Sequence, residues 1–177
     1  MRTLLGLLAL VFYLAHAADC VRRGHGEDAL WACHAATAAI AAGLLLGIRS
    51  CVALGCYCLT VGTPLWLVEA SLSREVLATS FGTHVGGLLL GWVGLALVRT
   101  PARAWWKGVL ALAALQQACR WWTPEVANVN GAFAVYDRFT PLFPNYAWYV
   151  ATLAVVAAVT FWSLECALLK VFPEAGP

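Results

Sequence analysis

Charged side chains are scarce in this chain of 177 residues. Asp, Glu, Lys and Arg together make up only 11% of it, whereas 62% of the residues are hydrophobic. Soluble domains carry about 25% charged residues, and a soluble globule with so few would expose large apolar patches. Nine tryptophans and the high apolar content also exclude an intrinsically disordered chain. The composition therefore predicts an integral membrane protein.

The chain also lacks a strong excess of charge of either sign. Eleven Lys and Arg residues face nine Asp and Glu residues, for a formal net charge of +2, which is too small for a nucleic-acid-binding surface. No inverted repeat, acidic ring or cluster of charges within the apolar runs is present, so ion transport is poorly supported. We expect membrane lipid as the partner and no nucleic acid.

Long apolar runs dominate what is present. Crossing the hydrocarbon core of a bilayer takes about 20 largely apolar residues in a helix. The qualifying runs are 3–18, 29–48, 51–70, 79–98, 104–122 and 146–172. They are continuous rather than alternating, which favours helices over barrel strands. The sequence predicts an all-α fold: one domain, 1–177, forming a polytopic membrane bundle of five to six transmembrane helices.

The first run, within residues 1–18, has two interpretations. Arg2, the apolar stretch and Ala15-His16-Ala17 together match a secretory signal peptide with its cleavage site. Alternatively this run is an uncleaved first span, whose end is marked by the charges at Asp19 and Arg22. His16 is expected near the membrane interface.

The segment 123–145 differs from the rest of the chain. It combines three prolines with Asn128, Asn130 and several aromatic residues. Loops of this length without structure of their own are uncommon and usually functional. We expect an irregular loop or a short interfacial helix here.

His84 and Cys33 are the main candidates for chemistry. Polar groups at bilayer depth are costly and usually face a cavity or another helix, so His84 is either hydrogen-bonded to a neighbouring helix or reactive. A cysteine beside an imidazole base becomes a nucleophile. Adjacent residues on a helix point about 100° apart, so His34 is a poor partner for Cys33, and His84 on another helix is a better one.

Glycines surround His84 in the fourth run. Gly82 and Gly86, like Gly87 and Gly91, form small-xxx-small pairs that allow helix backbones to approach closely. They predict a homo-oligomer contact through this span. The seven cysteines show no metal-binding spacing, so no metal and no cofactor is expected from them.

Two further interpretations stay open. In one, the chain is a b-type haem protein in which His84 and either His34 or His16 are the axial ligands. In the other, it is a non-enzymatic membrane scaffold or transporter subunit.

The order of the motifs resembles the YwaF-like bacterial integral membrane proteins. In that family a span carries a cysteine near its start, the next ends in Thr-Pro, and a span with a mid-membrane histidine follows. Asn-rich residues and a final span opening with a Trp-Tyr-type motif complete the order. The corresponding features here are Cys33, Tyr57 to Thr63-Pro64, Phe81-Gly82-Thr83-His84, Asn128-Val129-Asn130 and Phe143 to Tyr149.

This resemblance covers roughly residues 30–160 and implies an activity. The animal relative of the family is a transmembrane acyltransferase that moves an acyl chain between lipids through a cysteine and a histidine. The resemblance places the nucleophile at Cys33, the base at His84 and polar lining at Asn128 and Asn130. Thr63 joins the two asparagines as a candidate oxyanion donor for an intramembrane acyltransferase or hydrolase acting on lipid.

Overall fold

The computed structural model describes residues 1–73 and 77–173, and this part of the chain is helical without a strand. The predicted all-α class is confirmed. The α-helices are α1 (Arg2–Arg22), α2 (Ala32–Leu46), α3 (Arg49–Ser73), α4 (Ala78–Phe81), α5 (Gly87–Val98), α6 (Trp105–Trp122) and α7 (Tyr146–Val171). A π-helical turn, Gly82–Gly86, joins α4 directly to α5 and is called the π segment below.

Four helical stretches of the described chain are long and apolar enough to cross a membrane: Arg2–Arg22, Arg49–Leu72, Ala78–Val98 and Tyr146–Val171. The expected five to six spans are therefore not confirmed by length and composition. The second run forms an α-helix of only 15 residues, about 22 Å long at 1.5 Å per residue. The fifth run forms α6, which is long enough at 18 residues but carries polar residues such as Gln116 and Arg120.

The centre of the bundle is α2, which packs between α1 and α3. Its residues Ile40 and Leu44 are completely buried. The stretch from α4 through the π segment to α5 crosses α1, α2 and α3, while α6 and α7 pair with each other and lie against α3. Apolar side chains of α7 such as Val155 and Trp162 are more than half exposed, which suits a helix facing lipid.

The glycines of the fourth span are used for contacts within the chain. Gly82 and Gly86 lie against Phe12 of α1, and Gly91 lies against Cys56 and Ile40. A side chain at Gly86 or Gly91 would come closer to these neighbours than real Cβ contacts allow. This face of small residues therefore serves close helix packing inside one protomer. The homo-oligomer contact stays a prediction.

A buried carboxylate on α7 holds the start of α6. Glu165 Oε2 accepts hydrogen bonds from the backbone N–H groups of Ala104 (2.6 Å) and Trp105 (2.9 Å), and Oε1 accepts from that of Arg103 (2.8 Å). Tyr57 of α3 donates its hydroxyl to Oε2 at 3.2 Å. Because the first N–H groups of a helix have no partner within it, Glu165 both caps α6 and joins three helices.

The segment 123–145 contains three short 3₁₀ turns, Glu125–Ala127, Val129–Gly131 and Asp137–Leu142, instead of an interfacial α-helix. Asn128 and Asn130 both have left-handed backbone conformations, with φ of 41° and 56°. Such residues interrupt an α-helix, and the prolines of the segment cannot donate its backbone hydrogen bonds.

Candidate functional site: a buried histidine cluster

Three histidines from three parts of the bundle meet in its interior. The ring centroids of His16 (α1) and His34 (α2) are 4.0 Å apart, and those of His34 and His84 (π segment) are 5.1 Å apart. All three side chains are buried. The sequence drew attention to His84, placed His16 near the interface, and considered His34 or His16 as a partner of His84 only in the haem interpretation. The meeting of all three rings is a product of the tertiary structure.

The π segment holds the His84 ring in place. His84 Nδ1 lies 2.9 Å from the carbonyl oxygen of Ser80, one turn earlier, and the indole of Trp66 stacks on the imidazole at 4.4 Å with an interplanar angle of 12°. Single π turns inside α-helices occur frequently at functional sites. A second contact ties the segment to α3, because Thr63 donates its hydroxyl to the carbonyl of His84 at 3.3 Å.

The hydrogen-bond partners define which ring nitrogen carries the proton in His34 and His84. A carbonyl oxygen only accepts, so His84 Nδ1 carries the hydrogen that it donates to Ser80. His34 Nδ1 likewise donates to the carbonyl oxygen of Asp28 at 2.7 Å. In the neutral imidazole the other nitrogen is then an acceptor. The Nε2 atoms of both residues are therefore hydrogen-bond acceptors.

His16 belongs to a longer chain of hydrogen bonds. The hydroxyl oxygen of Thr79 lies 3.1 Å from His16 Nδ1, from which it accepts a hydrogen bond, and the same hydroxyl donates to Asp19 Oδ2 at 3.3 Å. His16 Nε2 then accepts from the thiol of Cys20, at an Nε2–Sγ distance of 3.5 Å. These contacts run from Cys20 through His16 and Thr79 to Asp19. Their order is that of a catalytic triad: a nucleophile (Cys20), a base (His16) and the groups that orient the base (Thr79 and Asp19).

The acidic end of this chain reaches the surface. Asp19 forms ion pairs with Arg22 at 2.6 Å and Arg23 at 3.4 Å. Together with Thr79 these residues line a cleft of about 460 Å³ between α1 and α4. The thiol of Cys20 lies inside, at 1% exposure. A substrate in this cleft would therefore meet the orienting residues first and the thiol only after a local opening.

Cys33, the nucleophile predicted from the sequence, lies against α3. Its Sγ occupies the space that a Cβ at Gly62 would need. Among residues 1–73 and 77–173, the hydrogen bonds of the His84 ring go to Ser80 and Thr83, and none joins it to Cys33. The structure therefore brings an imidazole and a thiol within hydrogen-bond distance at His16 and Cys20, whereas no hydrogen bond in the described part of the chain joins His84 and Cys33.

The predicted polar lining residues bond to backbone groups. Asn130 Oδ1 accepts from the N–H of Ala32, and Nδ2 donates to the carbonyl of Leu30, both at 2.8 Å. Asn128 Oδ1 accepts from the N–H groups of Phe133 (2.9 Å) and Ala134 (3.1 Å). These amides join the segment 123–145 to the start of α2 and to itself.

The site residues missed from the sequence are Cys20, Thr79 and Asp19. One signal was present: His16 and Cys20 are separated by four positions, and residues at that spacing share one face of a helix. Thr79 gives no such signal, because it lies 63 residues from His16.

The cluster does not resemble a metal or haem site. In the described part of the chain, no group of three or more His, Cys, Asp or Glu side chains is placed to hold a metal ion. The rings of His34 and His84 are in edge-to-face contact, at an interplanar angle of 84°. A haem ligated by both would have to lie between them, so the helices would first have to separate.

Comparison of the chain with protein-family models, with curated proteins and with solved structures gives no match. The resemblance to the YwaF-like proteins therefore rests on the order of the motifs quoted above and stays a prediction.

Proposed function

We propose that the protein is an integral membrane enzyme that transfers or hydrolyses an ester-linked acyl chain of a membrane lipid. The observation that carries this proposal is the 3.5 Å contact of Cys20 Sγ with His16 Nε2, on a ring whose Nδ1 is held by Thr79. A thiol within reach of an oriented imidazole is the arrangement that generates a nucleophilic thiolate.

The position of Cys20 along α1 fits a lipid ester. Cys20 lies in the last turn of the helix, beside Asp19 and Arg22, whose charges belong at the polar boundary of a bilayer. The ester bonds of glycerolipids lie at the same boundary, between the acyl chains and the headgroups. Leu14 of α1, between the thiol and the helix centre, is more than half exposed on the outside of the bundle. An acyl chain would therefore run along α1 while its ester lies at the level of the thiol.

The proposed reaction has two half-steps. The thiol proton of Cys20 moves to His16 Nε2 as the sulfur attacks the ester carbonyl carbon. The carbon–oxygen ester bond breaks, and the leaving alcohol takes the proton from Nε2, which leaves a thioester on Cys20. A hydroxyl of a second lipid, or water, then gives its proton to Nε2 and attacks the thioester, and the sulfur recovers that proton. No oxidant or reductant is needed.

The same proposal includes the membrane topology and the family. With α2 and α6 also lying in the membrane, the chain makes up to six crossings, which is the count expected from the apolar runs. The burial of α2 between α1 and α3 supports its inclusion. Membership of the YwaF-like proteins, whose animal relative is a lipid acyltransferase, is proposed for the class of activity only, because the resemblance covers roughly residues 30–160 and assigns the nucleophile to Cys33.

The test is to trap the thioester. The purified protein in lipid nanodiscs is incubated with a phospholipid carrying an ester-linked fluorescent acyl chain, and protein-bound label is measured before and after neutral hydroxylamine, which cleaves thioesters. We expect hydroxylamine-sensitive label on Cys20, found by peptide mass spectrometry, and its loss in Cys20→Ala. Cys166→Ala, which removes an exposed cysteine, is the matched control and should label like the wild type.

The same assay separates the two candidate nucleophiles. Label that persists in Cys20→Ala and disappears in Cys33→Ala would restore the nucleophile predicted from the sequence and reject the pair His16–Cys20. The absence of label in the wild type, together with unchanged lipid composition on prolonged incubation, would reject the enzyme altogether.

A non-enzymatic scaffold is the second candidate, and one observation favours it. The sulfur of Cys33 packs against Gly62, and the amides of Asn128 and Asn130 bond to the backbone. Polar groups that only pack against a helix or bond to the backbone stabilise the bundle and take no part in a reaction. If the protein is a scaffold, the Cys20→Ala variant should fold and should behave like the wild type in the labelling assay.

A further inference from the structure

A second cleft lies at the other end of α1 and is rich in arginine. It has a volume of about 500 Å³, and its lining includes Arg2 of α1, Arg49 at the start of α3 and Arg99 directly after α5. If all six apolar runs span the membrane, Arg2 precedes the first span, Arg49 follows the second and Arg99 follows the fourth, so the three residues lie on the same side. The structure brings them to a single cleft, although each comes from a different element.

These three arginines have no acidic partner in the described part of the chain. The ion pairs there use Arg22, Arg23, His25 and Arg138 instead. Guanidinium groups lining one cleft repel one another, and an anion between them removes that repulsion. Their planar donor geometry matches the oxygens of a phosphate group.

The backbone around the cleft is shaped to hold the guanidinium groups. Gly47 ends α2 with φ of 79°, and a Cβ there would lie 3.4 Å from Arg2 Nη1. Arg99 has φ of 68°, a conformation that residues other than glycine rarely adopt. The chain thus accepts an unfavourable backbone conformation at the residue that completes the cleft.

The remaining walls are apolar. Leu97 and Val98 from the last turn of α5 line the cleft beside the arginines, and Leu97 is partly exposed on the outer face of the bundle. A site for a free anion would need no apolar wall. A site for a phospholipid needs both the arginines and the apolar wall, because the headgroup phosphate meets the arginines while the acyl chains lie along the helix. Basic pockets between membrane helices bind anionic headgroups in this way.

We propose that this arginine cleft binds the phosphate-bearing headgroup of an anionic phospholipid. It is separate from the proposed catalytic thiol, because α1 has 21 residues and spans about 30 Å between Arg2 and Arg22. The lipid bound here is therefore a stabilising or positioning ligand and not the acyl donor, and the proposal is independent of the proposed function.

The test is native mass spectrometry of the full chain in a neutral detergent. It is titrated with phosphatidylglycerol, with phosphatidylcholine of the same acyl chains, and with inorganic phosphate. We expect the anionic lipid to bind more tightly than phosphatidylcholine, and phosphate alone to compete only weakly. Arg49→Gln and Arg99→Gln should each weaken binding of phosphatidylglycerol about fivefold, while phosphatidylcholine binding should not change.

Two further variants keep the result interpretable. Arg99→Gly removes the guanidinium and suits the positive φ, so it should fold like the wild type and still lose about fivefold in affinity. Arg138→Gln removes an exposed arginine that pairs with Glu69 and lies outside the cleft, so it should bind phosphatidylglycerol normally.

Equal affinity for the two lipids would overturn the proposal. An equal loss of affinity for phosphatidylglycerol in Arg138→Gln and Arg99→Gly would also overturn it. Full competition by inorganic phosphate would show a site for a free anion and overturn the assignment to lipid.

Discussion

His16 and Cys20 lie one turn apart on the same face of α1, with His16 Nε2 3.5 Å from Cys20 Sγ. Helix geometry alone brings such a pair close together. What makes it a candidate for catalysis is the far side of the ring, where the hydroxyl of Thr79 from α4 accepts a hydrogen bond from Nδ1–H and donates one to Asp19. The local pair is thus oriented by a residue that only the folded chain supplies.

The first prediction concerns Thr79 as a positioning residue. In Thr79→Val the Nδ1–H of His16 loses its acceptor, so the imidazole is no longer held in the tautomer that leaves Nε2 free. We expect kcat for acyl transfer to fall at least about tenfold, with a much smaller change in KM, because Val has nearly the same shape as Thr and preserves the form of the cleft that Thr79 lines. Steady-state kinetics with the fluorescent phospholipid measure both constants.

Thr79→Ser keeps the hydroxyl and should restore most of kcat. A purely structural role for Thr79 would instead lower the thermal stability of Thr79→Val and leave kcat per folded molecule as it is in the wild type.

The second prediction concerns Glu165. In Glu165→Gln an NH₂ group replaces one carboxylate oxygen and faces backbone N–H donors at the start of α6, which leaves buried donors without acceptors. We expect a loss of about 2–4 kcal/mol in the free energy of unfolding, measured by denaturant titration in detergent. Glu69→Gln, which breaks only an exposed pair with Arg138, should cost less than about 1 kcal/mol. Similar losses in both variants would contradict the role assigned to Glu165.

The third prediction concerns Asn130, which joins the segment 123–145 to the start of α2. Asn130→Gly keeps the left-handed backbone conformation and removes the side chain, so its cost measures the hydrogen bonds of the amide to Ala32, Leu30 and the sulfur of Cys119. We expect Asn130→Gly to lower the free energy of unfolding by about 1–3 kcal/mol, measured by denaturant titration in detergent. Asn130→Ala should cost more, because it adds backbone strain at φ of 56°. If Asn130→Gly is as stable as the wild type but loses lipid turnover, Asn130 is a substrate contact, as the sequence predicted.

The fourth prediction concerns the pH dependence of stability through Tyr136. Burial, with a smaller contribution from Tyr149, raises the pKa of the Tyr136 phenol to about 12, whereas an unfolded tyrosine titrates near 10. A raised pKa in the folded state means that the contribution to stability is complete below pH 10 and is lost as the pH rises to about 12. Tyr136→Phe should lose less stability over this interval than the wild type. Absorbance at 295 nm follows the phenol, and a titration of Tyr136 near pH 10 would refute the prediction.

Much of the secondary structure follows from the sequence. The first apolar run predicted a helix ending near Asp19 and Arg22, and α1 ends at Arg22. The last run predicted a helix over 146–172, and α7 covers Tyr146–Val171. Hydrophobic length and polar boundaries are local properties, so they can be read without knowledge of the fold. The second run was less informative, because its first residues form a 3₁₀ turn, Gly26–Leu30, and only 15 residues continue as α2.

The candidate site was only partly predictable. His84 was identified because an imidazole within an apolar run needs a partner, but its neighbours in the cluster, His16 and His34, come from other helices. Which thiol contacts which imidazole depends on helix rotation, and the sequence does not specify rotation. Cys33 packs against Gly62 of α3, a contact that hydrophobic patterns alone do not reveal.

The amino-acid sequence by itself determined that this protein is helical and apolar, where most helices begin and end, and that His16 and Cys20 share a helix face. The tertiary structure decided that His16, His34 and His84 meet, that Thr79 orients His16, and that Arg2, Arg49 and Arg99 line one cleft. The physical reason is the range of the interactions. Helix periodicity and hydrophobic length act between near neighbours, whereas these groupings depend on close packing of helices that are distant in the chain, with glycines such as Gly86 and Gly91 at the contacts.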